Sequence, residues 1–314
     1  MLNGGALPGA PFIFLAALGL GETVAGLRPV KESWSATISV VEDAGRPWWL
    51  WLHVLSLDAV LVALVAQEAF AWSAGATLSG IERGILALCA WLAYCGDRLL
   101  DARRLKGPVD SARHEFARMH TNPLSVAWGL GLLGAVILAG QLPRTELLAG
   151  GALAAGVGGY FFLQHHKKMR ALAGRGKEFM AGVGFAAGTL FFVLMKAPFS
   201  MPLALLGIAW ACICSLNCLL IAGWDRARDR AMGQHSMARQ WPGMETALPR
   251  LAMAPLLLAG AAPVLEVALL PLAVALAGSA LALLELARRA PEMDPELRRV
   301  WADAVLLVPV LILW

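Results

Sequence analysis

Two pairs of aspartates have the spacing best suited to chemistry. Asp97 and Asp101 lie four residues apart, and so do Asp225 and Asp229. On a helix this spacing puts both carboxylates of a pair on one face, one turn apart. Arginines lie close to the aspartates in both segments. Each pair could therefore bind a divalent cation, or it could pair with its own arginines as ordinary charge at a helix end.

The two pairs are related by a constant separation. Asp97 and Asp225 are 128 residues apart, and so are Asp101 and Asp229, which indicates an internal duplication. Carboxylates brought together by such a repeat repel one another in a low-dielectric cleft unless a cation joins them. Mg²⁺ suits this role because it takes a few carboxylate oxygens and completes its shell with phosphate and water, and the arginines suit a diphosphate. The sequence thus predicts one shared Mg²⁺ site, in which replacing one aspartate by Asn leaves the fold intact or slightly more stable.

The composition places these pairs in a membrane protein. The chain is 59% hydrophobic and only 15% charged, against about 25% charged for a soluble protein. Apolar stretches bounded by charges predict nine transmembrane helices, and the scarcity of alternating Val, Thr and Tyr excludes a β-barrel. The predicted helices cover residues 48–71, 79–101, 123–142, 146–165, 178–195, 201–224, 249–265, 267–286 and 299–314. We expect an all-α integral membrane protein with two parallel four-helix repeats and a ninth helix.

The basic residues indicate an orientation. Of the 26 Lys and Arg residues, all except Arg83, Arg144 and Lys196 fall on one side of the nine predicted spans. Because Lys and Arg favour the cytoplasmic side, we expect a cytoplasmic N-terminus, a C-terminus outside, and a bacterial-type inner membrane. Residues 1–45 are expected to form a cytoplasmic or interfacial segment before a membrane domain at 46–314. The net charge of +4 then lies beside lipid, and we expect no nucleic-acid partner.

The second aspartate pair belongs to a longer motif. Residues 225–233 read Asp-Arg-Ala-Arg-Asp-Arg-Ala-Met-Gly, which is similar to the D-x-x-x-D-R-x-x-G motif of the UbiA superfamily of intramembrane prenyltransferases. Tyr160 at the end of the fourth predicted helix, and Lys177 and Glu178 at the start of the fifth, also fit this family. Ala93 and Tyr94 stand where its first motif has Asn and Asp. Over residues 46–314 the chain resembles a divergent UbiA member.

The resemblance implies a reaction and its participants. The reaction is Mg²⁺-dependent transfer of a prenyl group from an isoprenoid diphosphate to a lipophilic acceptor within the membrane. The resemblance implies that four aspartates are catalytic and hold the Mg²⁺: Asp97, Asp101, Asp225 and Asp229. The basic residues expected to bind the diphosphate are Arg98, Lys167, Lys168, Arg226 and Arg228.

Three further polar residues are expected in the substrate pocket, namely Asp58, Tyr160 and Asn217. A charged or polar group within a span usually faces a cavity or a partner, although for Asp58 and Asn217 a structural hydrogen bond between helices is the alternative. Two other function classes also stay open. One is a family relative that has lost catalysis and serves as a binding or assembly protein, and the other is a transporter, since duplicated bundles with buried acids also form carriers.

Overall fold

Helices dominate the computed structural model, which describes residues 47–103, 111–165, 176–231, 236–241 and 243–314. Within these ranges there are thirteen α-helices, three short 3₁₀ helices and no strand, so the predicted all-α class is confirmed. The α-helices are α1 Leu50–Val54, α2 Leu57–Ser73, α3 Gly80–Ala102, α4 Ala112–Met119, α5 Thr121–Ala139, α6 Arg144–His165, α7 Lys177–Lys196, α8 Met201–Trp224, α9 Arg226–Ala231, α10 Met237–Gln240, α11 Met244–Leu265, α12 Leu270–Arg289 and α13 Pro295–Val305. The 3₁₀ helices are Val267–Leu269, Ala290–Glu292 and Val308–Ile312. The expected segment 1–45, Lys167 and Lys168 lie outside the described residues.

Six helical stretches in the described part of the chain are long and apolar enough to cross a membrane. They are Thr121–Ala139, Arg144–Gln164, Lys177–Lys196, Met201–Trp224, Met244–Leu265 and Val267–Glu292. The first two bury only 6% of their most apolar stretch within the protein, whereas Met201–Trp224 buries 56%. Apolar side chains that point away from the protein suit contact with lipid. The chain is therefore a multi-pass membrane protein with α8 near its centre.

The first predicted helix, over 48–71, is interrupted, so the expectation of one continuous helix is corrected here. α1 ends at Val54 and α2 begins at Leu57, with Ser56 between them in the left-handed region at a φ of 61°. Ser56 is the only non-glycine residue with a positive φ among the described residues. This conformation is unfavourable for a residue with a side chain, and it persists only where surrounding contacts hold it.

α3 agrees closely with the second predicted helix. It begins with a capping box in which Ser79 Oγ accepts from Glu82 N at 3.3 Å and Ser79 N donates to Glu82 Oε2 at 2.8 Å. Such a reciprocal pair satisfies two of the backbone donors that a helix start leaves free. Charged residues occupy both ends of α3, so its uncharged stretch runs only from Gly84 to Gly96. That length explains why α3 is absent from the six apolar stretches.

The ninth predicted helix, over 299–314, has different bounds. α13 begins at Pro295, where Asp294 caps it by accepting from the backbone nitrogens of Glu296 and Leu297. It ends at Val305, and a 3₁₀ helix follows with Pro309 inside it. Proline lacks the backbone donor and disfavours helical geometry in the residue before it. At about 1.5 Å of rise per residue, α13 alone is too short to cross a bilayer.

α7 and α8 approach each other closely at Gly182. A Cβ atom added to Gly182 would lie 2.4 Å from the backbone nitrogen of Ser215, so only glycine fits there. Ser215 Oγ donates to the carbonyl of Phe179 on α7 at 3.3 Å, and Trp210 Nε1 donates to Thr189 Oγ1 at 3.0 Å. Small residues let membrane helices approach closely and hydrogen-bond across the gap. This contact fixes the start of α7 against the half of α8 that leads to Asp225.

Candidate functional site

Aspartates from both motifs act on a single lysine. Lys177 begins α7, and it interacts electrostatically with Asp97 and Asp101 of α3 and with Asp229 of α9. The last turn of α3, the start of α7 and α9 therefore lie at one end of the helix bundle. Three of the four expected metal ligands thus lie near the start of α7, although the two motifs are 128 residues apart in sequence. The oxygens of Asp97, Asp101 and Asp229 do not all lie within 4.8 Å of one another in this structure.

Tyr160 and Glu178 extend this polar region. Tyr160 donates its hydroxyl hydrogen to the carbonyl of Lys177 at 3.1 Å and interacts electrostatically with Asp97. Glu178 is buried, and its two carboxylate oxygens accept from the backbone nitrogen of Met237 at 3.2 and 3.1 Å. An acidic side chain at the start of a helix complements its dipole. Glu178 therefore holds α10 against the site, and Tyr160 fixes α6 to the start of α7.

Asp101 also has a neighbour on α4. Its Oδ2 atom lies 3.9 Å from His114 Nε2, and His114 is buried and lies 3.2 Å from Ser111 Oγ through Nδ1. A protonated His114 would attract the Asp101 carboxylate, whereas a neutral ring would not. α4 thus lies over the end of α3 that carries the first motif.

Asp225 has a different environment from the other motif aspartates. It is buried at the end of α8, and its Oδ1 atom accepts from both Nη2 and Nε of Arg299 on α13, the latter at 3.2 Å. Its Oδ2 atom lies 3.9 Å from Arg113 Nη2. Arg299 also donates through Nη1 to Glu296 Oε1 at 3.1 Å. Asp225 therefore links α8 to α13 through a buried charged pair.

Arg98, which is expected to bind diphosphate, holds the break between α1 and α2. Its Nη1 donates to the carbonyls of His53 at 2.8 Å and Val54 at 3.0 Å, and Arg98 is buried. Trp91 Nε1 donates to the next carbonyl, that of Leu55, at 3.1 Å. Helix ends leave their last carbonyls without helical partners. Two side chains of α3 satisfy three consecutive carbonyls here, and this explains how the strained turn at Ser56 is held.

Asp58 and Asn217, both expected in the substrate pocket, belong to one partly buried polar cluster. His53 Nδ1 lies 2.6 Å from Asp58 Oδ2 and 3.4 Å from Asp303 Oδ2. Asn217 Nδ2 donates to Asp303 Oδ1 at 3.0 Å. Asp58 thus belongs to a polar network that joins α1, α2, α8 and α13. Asp303 and Asp58 both interact electrostatically with Tyr94 of α3, so this network lies near the helix that carries the first motif.

The structure describes fewer contacts for the other residues that are expected to bind diphosphate. Arg226 Nη2 lies 3.5 Å from Glu245 Oε1 on α11. Arg228 belongs to α9, but its side chain lies outside the described part of the structure, as do Lys167 and Lys168. Arg298 lies over the ring of Trp224, 5.2 Å from its centroid. Partial burial, and then the positive charge of Arg299, lower the pKa of Arg298 from its usual value.

Sequence reasoning missed His53, Asp303 and Arg299. A signal existed for Asp303, because it is the only acidic residue in the predicted helix 299–314 and charged groups within spans are costly. Another signal existed for His53, because it lies five residues before Asp58 in the first predicted helix. For Arg299 there was none, since basic residues in its segment are expected at the cytoplasmic end of a span.

Comparisons with known proteins identify no relative of this chain. No protein-family model, no curated protein and no solved structure matches this chain.

Proposed function

We propose that this protein transfers a prenyl group from an isoprenoid diphosphate to a lipophilic acceptor inside the membrane, with Mg²⁺ as its cofactor. One observation carries the proposal: Lys177 interacts with carboxylates from both aspartate motifs, Asp97 and Asp101 of the first and Asp229 of the second. Carboxylates beside a lysine at one end of a membrane helix bundle suit a substrate whose head is a metal-bound diphosphate and whose tail is apolar.

The side chains near Lys177 offer ligand atoms of the type that Mg²⁺ prefers. Asp97, Asp101 and Asp229 offer only carboxylate oxygens, which are the ligands that this hard cation prefers. Asp225 fits less well, because its oxygens face Arg299 and Arg113. We therefore assign the metal to three aspartates and give Asp225 a structural role. Bound Mg²⁺ supplies positive charge for the departing diphosphate.

The neighbouring side chains have separate tasks in this proposal. Lys177 donates to a phosphate oxygen and neutralises part of its charge. Tyr160 keeps Lys177 in place through the bond from its hydroxyl to the Lys177 carbonyl. The prenyl chain lies against the aromatic pair of Tyr94 and Phe185, whose ring centroids are 5.9 Å apart in an edge-to-face arrangement. Tyr94 remains 37% exposed, which leaves its ring accessible to a substrate.

The finer topology belongs to the same proposal. We propose that α1 with α2, then α3, and finally α13 with the following 3₁₀ helix complete nine spans together with the six long apolar stretches. Two parallel four-helix repeats would then each end their second helix in an aspartate motif. The basic loops favour a cytoplasmic N-terminus and an external C-terminus in a bacterial-type inner membrane.

The test is ligand-dependent stability of the purified protein in lipid nanodiscs. Melting temperature is measured with and without Mg²⁺ plus farnesyl or geranylgeranyl diphosphate for the wild type, Asp97→Asn and Asp229→Asn. Glu285→Gln is the matched control, because Glu285 pairs with Arg288 and Arg289 on the exposed surface of α12. A ligand at about 100 times its Kd stabilises by about 2.7 kcal/mol. We expect that stabilisation in the wild type and the control, and its loss in both aspartate variants.

Two further results complete this test. Because residues of one site act as a unit, Asp97→Asn with Asp229→Asn should bind little worse than either single variant. Mass spectrometry after incubation with a membrane extract should show a prenylated product from the wild type and Glu285→Gln, and none from the aspartate variants. Equal ligand-induced shifts in all the variants would overturn the proposal.

A second function has an observation in its favour. The buried pair of Asp225 and Arg299 leaves the second motif with one carboxylate bound by the protein itself. This favours a relative that binds an isoprenoid lipid or a partner protein without turnover. Diphosphate binding by the wild type without any product would select this second function.

A further inference from the structure

The cluster of His53, Asp58 and Asp303 shares no residue with the group of aspartates near Lys177. The ligand atoms are Nδ1 of His53 and one carboxylate oxygen of each aspartate, and all three lie within 4.8 Å of one another. We propose that these residues bind a second divalent ion, a transition metal of the Zn²⁺ type. This site does not depend on the proposed prenyl transfer.

The backbone is shaped to bring His53 and Asp58 together. In a continuous helix, residues five apart point about 140° away from each other. The break at Leu55 and Ser56 removes this constraint and lets His53 Nδ1 approach Asp58 Oδ2 to 2.6 Å. Strain of this kind is typical of functional sites, and here Arg98 and Trp91 hold it through the carbonyls of residues 53–55.

Unpartnered buried atoms at the cluster point to a ligand. His53 is 1% exposed and Asn217 is 5% exposed. The Asn217 Oδ1 atom has no hydrogen-bond partner among the described residues, although Nδ2 of the same amide donates to Asp303. A buried acceptor without a partner is costly. Asn217 therefore orients Asp303 through its amide nitrogen and leaves a buried, unpartnered oxygen on the side chain that contacts the cluster.

The geometry requires only a small adjustment. Ligand atoms about 2.1 Å from a tetrahedral ion lie about 3.4 Å apart. His53 Nδ1 and Asp303 Oδ2 have that separation now, at 3.4 Å. His53 Nδ1 and Asp58 Oδ2 are closer, at 2.6 Å, because a proton joins them. Replacing this proton by a metal ion would increase the distance between Nδ1 and Oδ2 from 2.6 Å to about 3.4 Å.

The charge of this cluster and the types of its ligand atoms indicate which ion it would bind. Two carboxylates and a neutral imidazole carry a charge of −2, which a divalent ion balances. Arg98 and Arg113 act on the cluster electrostatically. Neither forms an ion pair with Asp58 or Asp303 among the described residues, since Arg98 donates to backbone carbonyls and Arg113 lies 3.9 Å from Asp225. An imidazole nitrogen in the set favours a transition metal such as Zn²⁺ over Mg²⁺.

The test uses the full chain, purified in detergent and freed of metal with a chelator. It is incubated with excess Zn²⁺ in the presence of Mg²⁺, desalted, and measured for bound zinc by mass spectrometry. We expect about one Zn²⁺ per chain in the wild type and loss of this zinc in His53→Gln and Asp303→Asn. The matched control is His120→Gln, since His120 is also buried but packs on Phe116 with ring centroids 4.5 Å apart.

Two more variants keep the test decisive if a ligand variant does not fold. Asn217→Ala retains all three ligands and should weaken Zn²⁺ binding about 10- to 100-fold, the usual effect of removing a residue that orients a ligand. Cys218→Ser should retain the metal, and Co²⁺ bound to the wild type should lack the charge-transfer absorption of a thiolate. No bound zinc in the wild type, or equal zinc in the wild type and Asp303→Asn, would overturn the site and leave a proton shared by His53, Asp58 and Asp303.

Discussion

Replacement of Asp225 by Asn should destabilise this protein, in contrast to the expectation drawn from four mutually repelling carboxylates. Asp225 accepts two hydrogen bonds from Arg299, whose side chain is only 3% exposed. Loss of the negative charge would leave a buried guanidinium with Glu296 as its remaining carboxylate partner, at 3.1 Å. A buried charge that loses its partner entirely costs about 3–5 kcal/mol. Because Glu296 stays, we expect about 2–3 kcal/mol, which lies in the upper part of the range of about 1.5–3 kcal/mol for a hydrogen bond to a charged group.

The measurement is the thermal midpoint in nanodiscs without added ligand. A change of 1 kcal/mol shifts the midpoint by about 2–4 °C for a domain of comparable size, so Asp225→Asn should lower it by about 4–12 °C. Asp97→Asn is the matched control, since it makes the same chemical change in the other motif. We expect Asp97→Asn to leave the midpoint unchanged or slightly higher, because it removes one of three carboxylates that share Lys177.

A double-mutant cycle isolates the pair. Arg299→Met removes the basic side chain that donates two hydrogen bonds to the buried Asp225 and leaves Arg113 3.9 Å away, and it should cost about as much as Asp225→Asn. The double variant removes both charges and should cost clearly less than the two single changes together. Equal destabilisation by Asp225→Asn and Asp97→Asn, or strict additivity in the cycle, would refute the structural role of Asp225.

Three other predictions follow from the fold. Gly182→Ala should destabilise by about 1–3 kcal/mol, because its Cβ would lie 2.4 Å from Ser215 N, whereas Gly184→Ala, which meets nothing within 4 Å, should be neutral in the same thermal scan. Gln67→Leu should raise the thermal midpoint, because Gln67 is fully buried and neither polar atom of its side chain has a partner among the described residues; a lower midpoint would contradict this. A reporter that works only in the cytoplasm should be silent when fused after Trp314, and strong activity would refute nine spans.

The long apolar helices could be predicted from sequence because their signal is local. An uncharged run of about 20 residues has few alternatives to a membrane helix. The predicted spans 123–142, 146–165, 178–195, 201–224, 249–265 and 267–286 each correspond to one of the six long apolar stretches. Their ends differ by a few residues, since charges near a boundary can lie inside or outside the last turn.

The break after α1 could not be predicted because its cause is not local. Residues 54–57 contain neither glycine nor proline, so the sequence favours a continuous helix. The turn depends on donors from Arg98 and Trp91, which are 36–45 residues away. Tertiary contacts of this kind override helix propensity. The same arginine was expected to bind diphosphate because its neighbours in sequence are motif aspartates.

The two aspartate pairs look equivalent in sequence, but one helix outside the proposed duplication separates their roles. Arg299 and Asp303 lie four residues apart on α13, and therefore on one face of it. Arg299 pairs with Asp225 of the second motif, while Asp303 completes the cluster of His53 and Asp58. Because α13 lies outside both proposed repeats, neither repeat contains a residue equivalent to Arg299 or Asp303. Through Arg299, α13 thus pairs with Asp225, and through Asp303 it contributes a side chain to the cluster at His53. Variants at Arg299 should therefore change stability, and variants at Asp303 should change metal binding, independently of one another.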